Sequence, residues 1–342
     1  MKTNFLLFAL VLNLYIWSSC CLRNCTDKEY SEIKNDRIHE VHVLCLFSPN
    51  IVVTTTFWTI KFYGITRQAS LDFSRLPERF ERKKHLILEN LTVQTRSHSL
   101  ESRKISLINV NGVYDNIAIF TLWSLKRECE LNIVNSTFRS GNHSIAPTQS
   151  VFIIICAEIK IKAINSRFGP LGNAHTIFES WNYRSTSTVS DVYIYNNTFV
   201  DNIKTTSLIK ISINNGAANI SNNSFKANSV GSLCEIFAST SLCFLDNVIS
   251  NNTIENEFGL TLESEQIQIS NDFYTADDTK GKVGEFSSNF STACVITSEY
   301  ANELNAGERS DWEKMMTSFK TIKSNQFEEC ITLGYKGRLE LI

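Results

Sequence analysis

The densest gathering of chemically capable side chains is HTIFESWNYR, residues 175–184, which brings His175, Glu179, Trp181, Tyr183 and Arg184 into one short segment. Indole and phenol rings stack on the apolar faces of sugars, while a carboxylate and a guanidinium bond hydroxyls or a ligand carboxylate. These five residues are the candidate ligand-binding set. The competing reading is that Trp181 and Tyr183 pack the segment onto its own scaffold. Elsewhere the chemistry is sparse. Asp277-Asp278 lies in TADDTKGK, which reads as an exposed loop rather than a paired-carboxylate site. Asp191, Asp201 and Asp272 are isolated, and each is most simply a turn or surface residue. His39, His42, His85, His98, His143 and His175 are scattered, with no Ser-His-Asp signature and no phosphate-binding loop, so no catalytic residue is assigned.

The cysteines and sequons carry a different chemistry. Ten cysteines are present. Cys20 and Cys21 fall at the end of an apolar leader, leaving Cys25, Cys45, Cys129, Cys156, Cys234, Cys243, Cys294 and Cys330 as disulfide candidates. The expected pairs are Cys25–Cys45, Cys234–Cys243 and Cys294–Cys330. No CxxC pair and no adjacent histidine cluster suggests a metal, and no cofactor is implied. Thirty-three basic against thirty-five acidic residues leave a formal net charge of −2 without a basic stripe, which argues against nucleic acid as a partner.

The compartment follows from the start of the chain. Lys2, the apolar run Phe5–Trp17 and the small residues Ser18-Ser19-Cys20 have the layout of a secretory signal peptide, residues 1–21. The run is short for a bilayer span, no later stretch is longer, and GRLELI at the end is no lipid-anchor signal, so the expectation is a secreted, extracellular protein without a membrane span.

The elements that must position these residues show as a repeat. LNIVNSTF ends at Phe138, IKAINSRF at Phe168, VYIYNNTF at Phe199, ANISNNSF at Phe225 and LCFLDNVI at Ile249. LILENLTV at Val93 and ISLINVNG at Gly112 precede them, and IQISNDF at Phe273 follows. The alternating half predicts a strand with one inward face, the Asn supplies turn chemistry, and the Phe returns to the interior. Anchors recur every 19–31 residues, with further strand-like runs between them, including Val151–Cys156 and Leu208–Ile213.

This pattern resembles the right-handed parallel β-helix repeats of the pectin-lyase-like superfamily, over roughly residues 38–275. FVDN at 199–202 and FKAN at 225–228 are also similar to the FxxN repeat of polymorphic outer-membrane proteins, without its companion Gly-Gly-Ala-type motif. The fold class expected is all-β: a right-handed parallel β-helix solenoid over residues 51–290, an N-terminal cap over 22–50 and a helical/strand C-terminal cap over 291–342. The cap helix opens at Ser310-Asp311-Trp312-Glu313 and runs to Lys323. The alternative is a leucine-rich or receptor-L-like solenoid.

The resemblance implies that the turn asparagines Asn90, Asn135, Asn165, Asn196 and Asn222, with Asp246 as a variant, point inward and stack as a ladder. All of the ladder asparagines except Asn165 head sequons, and an inward amide excludes a glycan. Glycosylation is therefore expected off the ladder, at Asn24, Asn142, Asn219, Asn251 and Asn289. Superfamily hydrolases carry Asn-Thr-Asp, Asp-Asp, Gly-His-Gly and Arg-Ile-Lys motifs, and this chain has only the Asp-Asp. The lyases use acid clusters for calcium with a basic residue as base, and no such cluster recurs in the sequence. The expectation is a secreted non-catalytic protein that binds extracellular glycans or proteins. The alternative is a diverged polysaccharide lyase or hydrolase, to be favoured by acids meeting a basic residue on one face of the folded coil.

Overall fold

The computed structural model describes residues 30–34, 38–43, 46–47, 59–65, 69–72, 85–95, 100–114, 120–141, 150–172, 174–182, 189–256, 258–270, 273–274, 282–293, 296–297, 331–334 and 338–341. Among them every regular element is a strand, numbered β1 to β29 in chain order. The expected C-terminal helix, Cys25, Cys45, Cys294, Cys330, Asn24 and Asn142 lie outside the described residues.

Each repeat half-reads as the alternation promised. β4 (Thr59–Gly64) buries Ile60, Phe62 and Gly64, and β6 (His85–Glu89) buries Leu86 and Leu88. In β13 (Phe152–Ile164) the alternation slips once, at the adjacent buried pair Cys156-Ala157. Period-two side chains cannot both face inward on a straight strand, so the slip marks a bend. β11 (Phe120–Val134) shifts register at the same level, between Ser124 and Glu128.

Strand pairing is parallel through the repeat region, and each segment pairs with its equivalent one repeat later. Phe138 pairs with Phe168, Phe168 with Phe199, Phe199 with Phe225 and Phe225 with Ile249, through β12 (Thr137–Ser140), β14 (Arg167–Phe168), β17 (Thr198–Val200), β20 (Ser224–Lys226) and β22 (Val248–Ser250). These short strands belong to a 10-stranded sheet, and the longer ones form a 16-stranded sheet. Because β13 pairs by its first half with β15 (Thr176–Asn182) and by its second half with β16 (Ser190–Tyr195), it joins two faces. β21 (Ser229–Leu245) does the same with β18 (Ile203–Ile213) and β19 (Gly216–Ser221). The six strands β13–β15–β18–β21–β19–β16 thereby close into a parallel ring, rather than forming a separate open sheet on each face. The leucine-rich alternative would return each repeat through a helix or 3₁₀ turn, whereas here the return is made by strands.

Two columns of stacked phenylalanines fill the interior. One runs Phe138, Phe168, Phe199, Phe225, with centroids 5.5, 5.0 and 4.9 Å apart. The other runs Phe120, Phe152, Phe178 at 5.7 and 5.2 Å, and meets the first edge-on where Phe138 and Phe152 lie 5.1 Å apart. Gly112 occupies a phenylalanine position of the repeat because a side chain there would overlap the ring of Phe138.

At the ends, β1 (Tyr30–Lys34) runs antiparallel to β2 (Ile38–Val43), which is parallel to β4. Beyond the repeats, β26 (Lys282–Ala293), which contains Asn289, pairs in parallel with β24 (Phe258–Ser270). A small antiparallel sheet then joins β27 (Ile296–Thr297), β29 (Arg338–Leu341) and β28 (Ile331–Gly334). Among the described residues no helix is long and apolar enough to cross a membrane.

The asparagine ladder sits one residue further along than the repeat alignment expects. Asn90, Asn135, Asn165, Asn196, Asn222 and Asp246 all adopt the left-handed conformation, with φ between 49° and 56°. Asn135, Asn165, Asn196 and Asn222 are exposed. Asparagine is chosen there because it tolerates this backbone. The buried amides are their neighbours. Val110 N–H donates to Ser136 Oγ, Ser136 N–H to Ser166 Oγ, Ser166 N–H to Asn197 Oδ1, Asn197 N–H to Asn223 Oδ1 and Asn223 N–H to Asn247 Oδ1, all at 2.9–3.0 Å. Each asparagine amide returns a bond to a carbonyl of the preceding repeat: Ala163, Ile194 and Ile220 for Asn197, Asn223 and Asn247. A second buried ladder, Asn202, Asn228, Asn252, follows the outward residues Asp201, Ala227 and Asn251. The inward position thus includes the final Asn of FVDN and FKAN.

The cysteine pairing also differs. Cys129 and Cys156 form a disulfide, with Cα atoms 6.0 Å apart across the bend between successive repeats. The expected Cys234–Cys243 bond is absent. Both lie on β21, but Cys234 points into the core beside Ile209 and Leu260, and Cys243 points outward beside Asn219 and Gln268. Burial of Cys243 pushes its thiol above the usual range.

Candidate binding face

The first halves of β11, β13, β21 and β24, together with β15 and the second half of β18, make one outward-facing surface. In-register parallel pairing sets its side chains in columns. One column runs Trp123, Ile155, Trp181, Ser212, Phe237, Glu263, each residue paired with the next. Trp123 is 57 % exposed, Trp181 37 % and Phe237 38 %, high for side chains of this size. Adjacent strands lie about 4.8 Å apart, so the aromatics repeat every ~9.6 Å over a row of ~19 Å. The neighbouring column runs Thr121, Ile153, Glu179, Lys210, Glu235, Thr261. Lys210 Nζ lies 3.2 Å from Glu235 Oε2. Beside the aromatic row is therefore a polar row.

Of the residues singled out in the sequence, the structure brings together His175, Glu179 and Trp181. Tyr183 and Arg184 lie outside the described residues. Alternation along β15 turns Glu179 and Trp181 to the same outer side. His175 Nδ1 is 3.6 Å from Glu179 Oε2, and Ser150 Oγ donates a hydrogen bond to that same oxygen. The order is serine, carboxylate, imidazole. A nucleophilic serine needs the imidazole between hydroxyl and carboxylate, and Ser150 is fully buried. The cluster holds Glu179 in place; it does not build a nucleophile. Trp123, Phe237 and Lys210 were not legible as site residues, because each lies in a different repeat.

Acids do meet bases on the other outward face, beyond the bend. Lys104 Nζ lies 3.1 Å from Glu128 and 2.8 Å from Glu130, and Lys160 Nζ lies 3.1 Å from both Glu128 and Glu158. The bond to Glu130 holds the Lys104 ammonium above its usual range, and the bond to Glu158 does the same for Lys160. Burial pushes Glu128 up, but its bonds to Lys104 and Lys160 outweigh this and leave its carboxyl below the usual range. A lysine base needs a depressed pKa. Both lysines move the opposite way, so the cluster behaves as an ion-pair ladder.

Comparison with protein-family models, with curated proteins and with solved structures finds no match.

Proposed function

We propose that this is a secreted, non-catalytic right-handed parallel β-helix protein whose aromatic face binds an extended extracellular glycan. Right-handed coiling is the near-universal hand for parallel strands joined by crossovers in one sheet. The observation that carries the reading is the row Trp123–Trp181–Phe237, three exposed rings in line across the strands. Its spacing of ~9.6 Å suits alternate rings of an extended sugar chain laid along the stack. The rings would take the apolar sugar faces, and Glu179, Lys210 and Glu235 the hydroxyls.

The full-length protein is run through native gels containing neutral and acidic polysaccharides. Retardation by one polysaccharide, weakened about tenfold in apparent Kd by Trp181→Ala and again by Trp123→Ala, is the expected result. Retardation untouched by both substitutions overturns the site. Retardation by none of the polysaccharides turns the same flat face towards protein partners.

The alternative of a diverged lyase draws on the acids around Lys104 and Lys160. Both ammonium groups are already engaged in ion pairs at 2.8–3.1 Å, which speaks against either lysine as a base.

A further inference from the structure

On the face beyond the bend, the columns place a sequon against an aromatic ring and a groove. β16 and β19 pair Tyr193 directly with Asn219, and β13 and β16 pair Lys162 with Tyr193. Asn219-Ile220-Ser221 is a sequon, and alternation along β19 turns Asn219 outward between the buried Ala218 and Ile220. Ser221 Oγ donates to Asn219 Oδ1 at 2.7 Å, and Asn219 Nδ2 has no partner among the described residues. From Tyr193 a shallow groove of about 350 Å³ leads away across the neighbouring strands, lined in part by Lys160, Lys162, Asp191 and Glu130. Lys162 and Asp191 have no ion-pair partner among the described residues, unlike Lys160 and Glu130. Tyr193 is held upright by Tyr195, stacked at 5.7 Å with planes 10° apart. Beside Lys162 in register, Asn132 keeps an Oδ1 that accepts no hydrogen bond among the described residues.

We propose that Asn219 carries an N-linked glycan and that this groove is its bed. The innermost N-acetylglucosamine lays its apolar face on Tyr193, and the next ring reaches Lys162 and Asp191 with its hydroxyl and acetamido groups. The donor is a lipid-diphosphate-linked oligosaccharide. The anomeric C–O bond to the diphosphate breaks, a C–N bond to Asn219 Nδ2 forms, one Nδ2 proton is released and the lipid diphosphate leaves. Asp191, one strand from Asn219, and Lys162, two strands away, are thus polar groups placed for a ligand that arrives covalently tethered. The proposal rests on export of the chain and is independent of the aromatic row on the other face.

The full-length protein is secreted from eukaryotic cells, and each sequon is scored by mass spectrometry after enzymatic glycan release in heavy-oxygen water. The rate of release from the folded protein is then compared between Asn219 and the exposed Asn251. Asn219 is expected to be occupied and to release about tenfold more slowly than Asn251, and Tyr193→Ala is expected to abolish the lag. Tyr193 faces outward, so the variant is checked for an unchanged circular dichroism spectrum. An unmodified Asn219 beside other occupied sequons overturns the proposal, as does an occupied Asn219 whose release is fast or indifferent to Tyr193→Ala. Absence of glycan at every sequon overturns it together with the expectation of export.

Discussion

Asn222 and Asn223 are adjacent and chemically identical, yet they do opposite work. Asn222 supplies a left-handed backbone at φ 56° and leaves its side chain exposed, while Asn223 is buried and bonded above and below. Asn222→Gly is therefore expected to leave the urea midpoint nearly unchanged, whereas Asn222→Ala costs ~1 kcal/mol from the left-handed conformation. Asn223→Ala strands the Asn197 N–H and the Ile194 carbonyl, at a cost of about 1–3 kcal/mol for each group left unpaired. Equal effects at the two positions would refute this division of labour. His85 offers a pH test. Burial pushes its imidazole below the usual value, against the opposing charge of Glu130 and with a smaller push from Lys104, and its Nε2 sits 2.8 Å from Ser106 Oγ. A depressed histidine means that the unfolded chain takes up the proton first. The neutral native form is favoured above the unfolded value of about 6.5, and stability is lost as pH falls below it towards the folded pKa. Thermal melts at about pH 7.5 and about pH 5 should show a larger fall for the wild type than for His85→Gln.

At the scale of elements, the bends and columns hold the strands in register. Cys129–Cys156 ties successive repeats across the bend of β11 and β13, closing 27 residues. Replacing both cysteines by alanine should lower stability by ~2–4 kcal/mol, and reductant should lower the wild type but not the variant. Phe199 stands between Phe168 and Phe225, with rings 5.0 and 4.9 Å away. Phe199→Ala should cost about 3–5 kcal/mol, read as a fall in urea midpoint, because stacked neighbours in a parallel column cannot collapse into the gap. Much of this scale was legible in advance. The alternating runs and the recurring Phe gave the strands, and the recurrence gave parallel stacking. The disulfide was not legible, since 27 residues of separation says nothing until the register is known. The Cys234–Cys243 expectation failed because nearness in sequence does not put two side chains on one face of a strand.

At the scale of the molecule, stacking converts residues far apart in sequence into rows. Trp123 and Trp181 become neighbours two strands apart, as do Trp181 and Phe237. The two outward faces, one aromatic and one carrying Tyr193 with its ion-pair ladder, are separated by the bend, so they should respond independently. Tyr193→Ala is expected to leave polysaccharide retardation unchanged, and Trp181→Ala to leave glycan release at Asn219 unchanged. Coupling in either direction, measured on the same preparations, would mean that the faces are not separate.

The sequence by itself determined the parallel strands of the repeat region and their aromatic interior, because alternation and recurrence are local and periodic signals. It could not say which Asn of an Asn-Asn pair points inward, since the left-handed turn reverses the sides and serine at 136 and 166 blurs the inward position. Only the tertiary structure decided the ladder, the disulfide, the closure of six strands into a ring and the row of exposed rings. Each of these depends on the lateral register between repeats. That register is set by buried side chains meeting across strands, and it has no local signature in the chain.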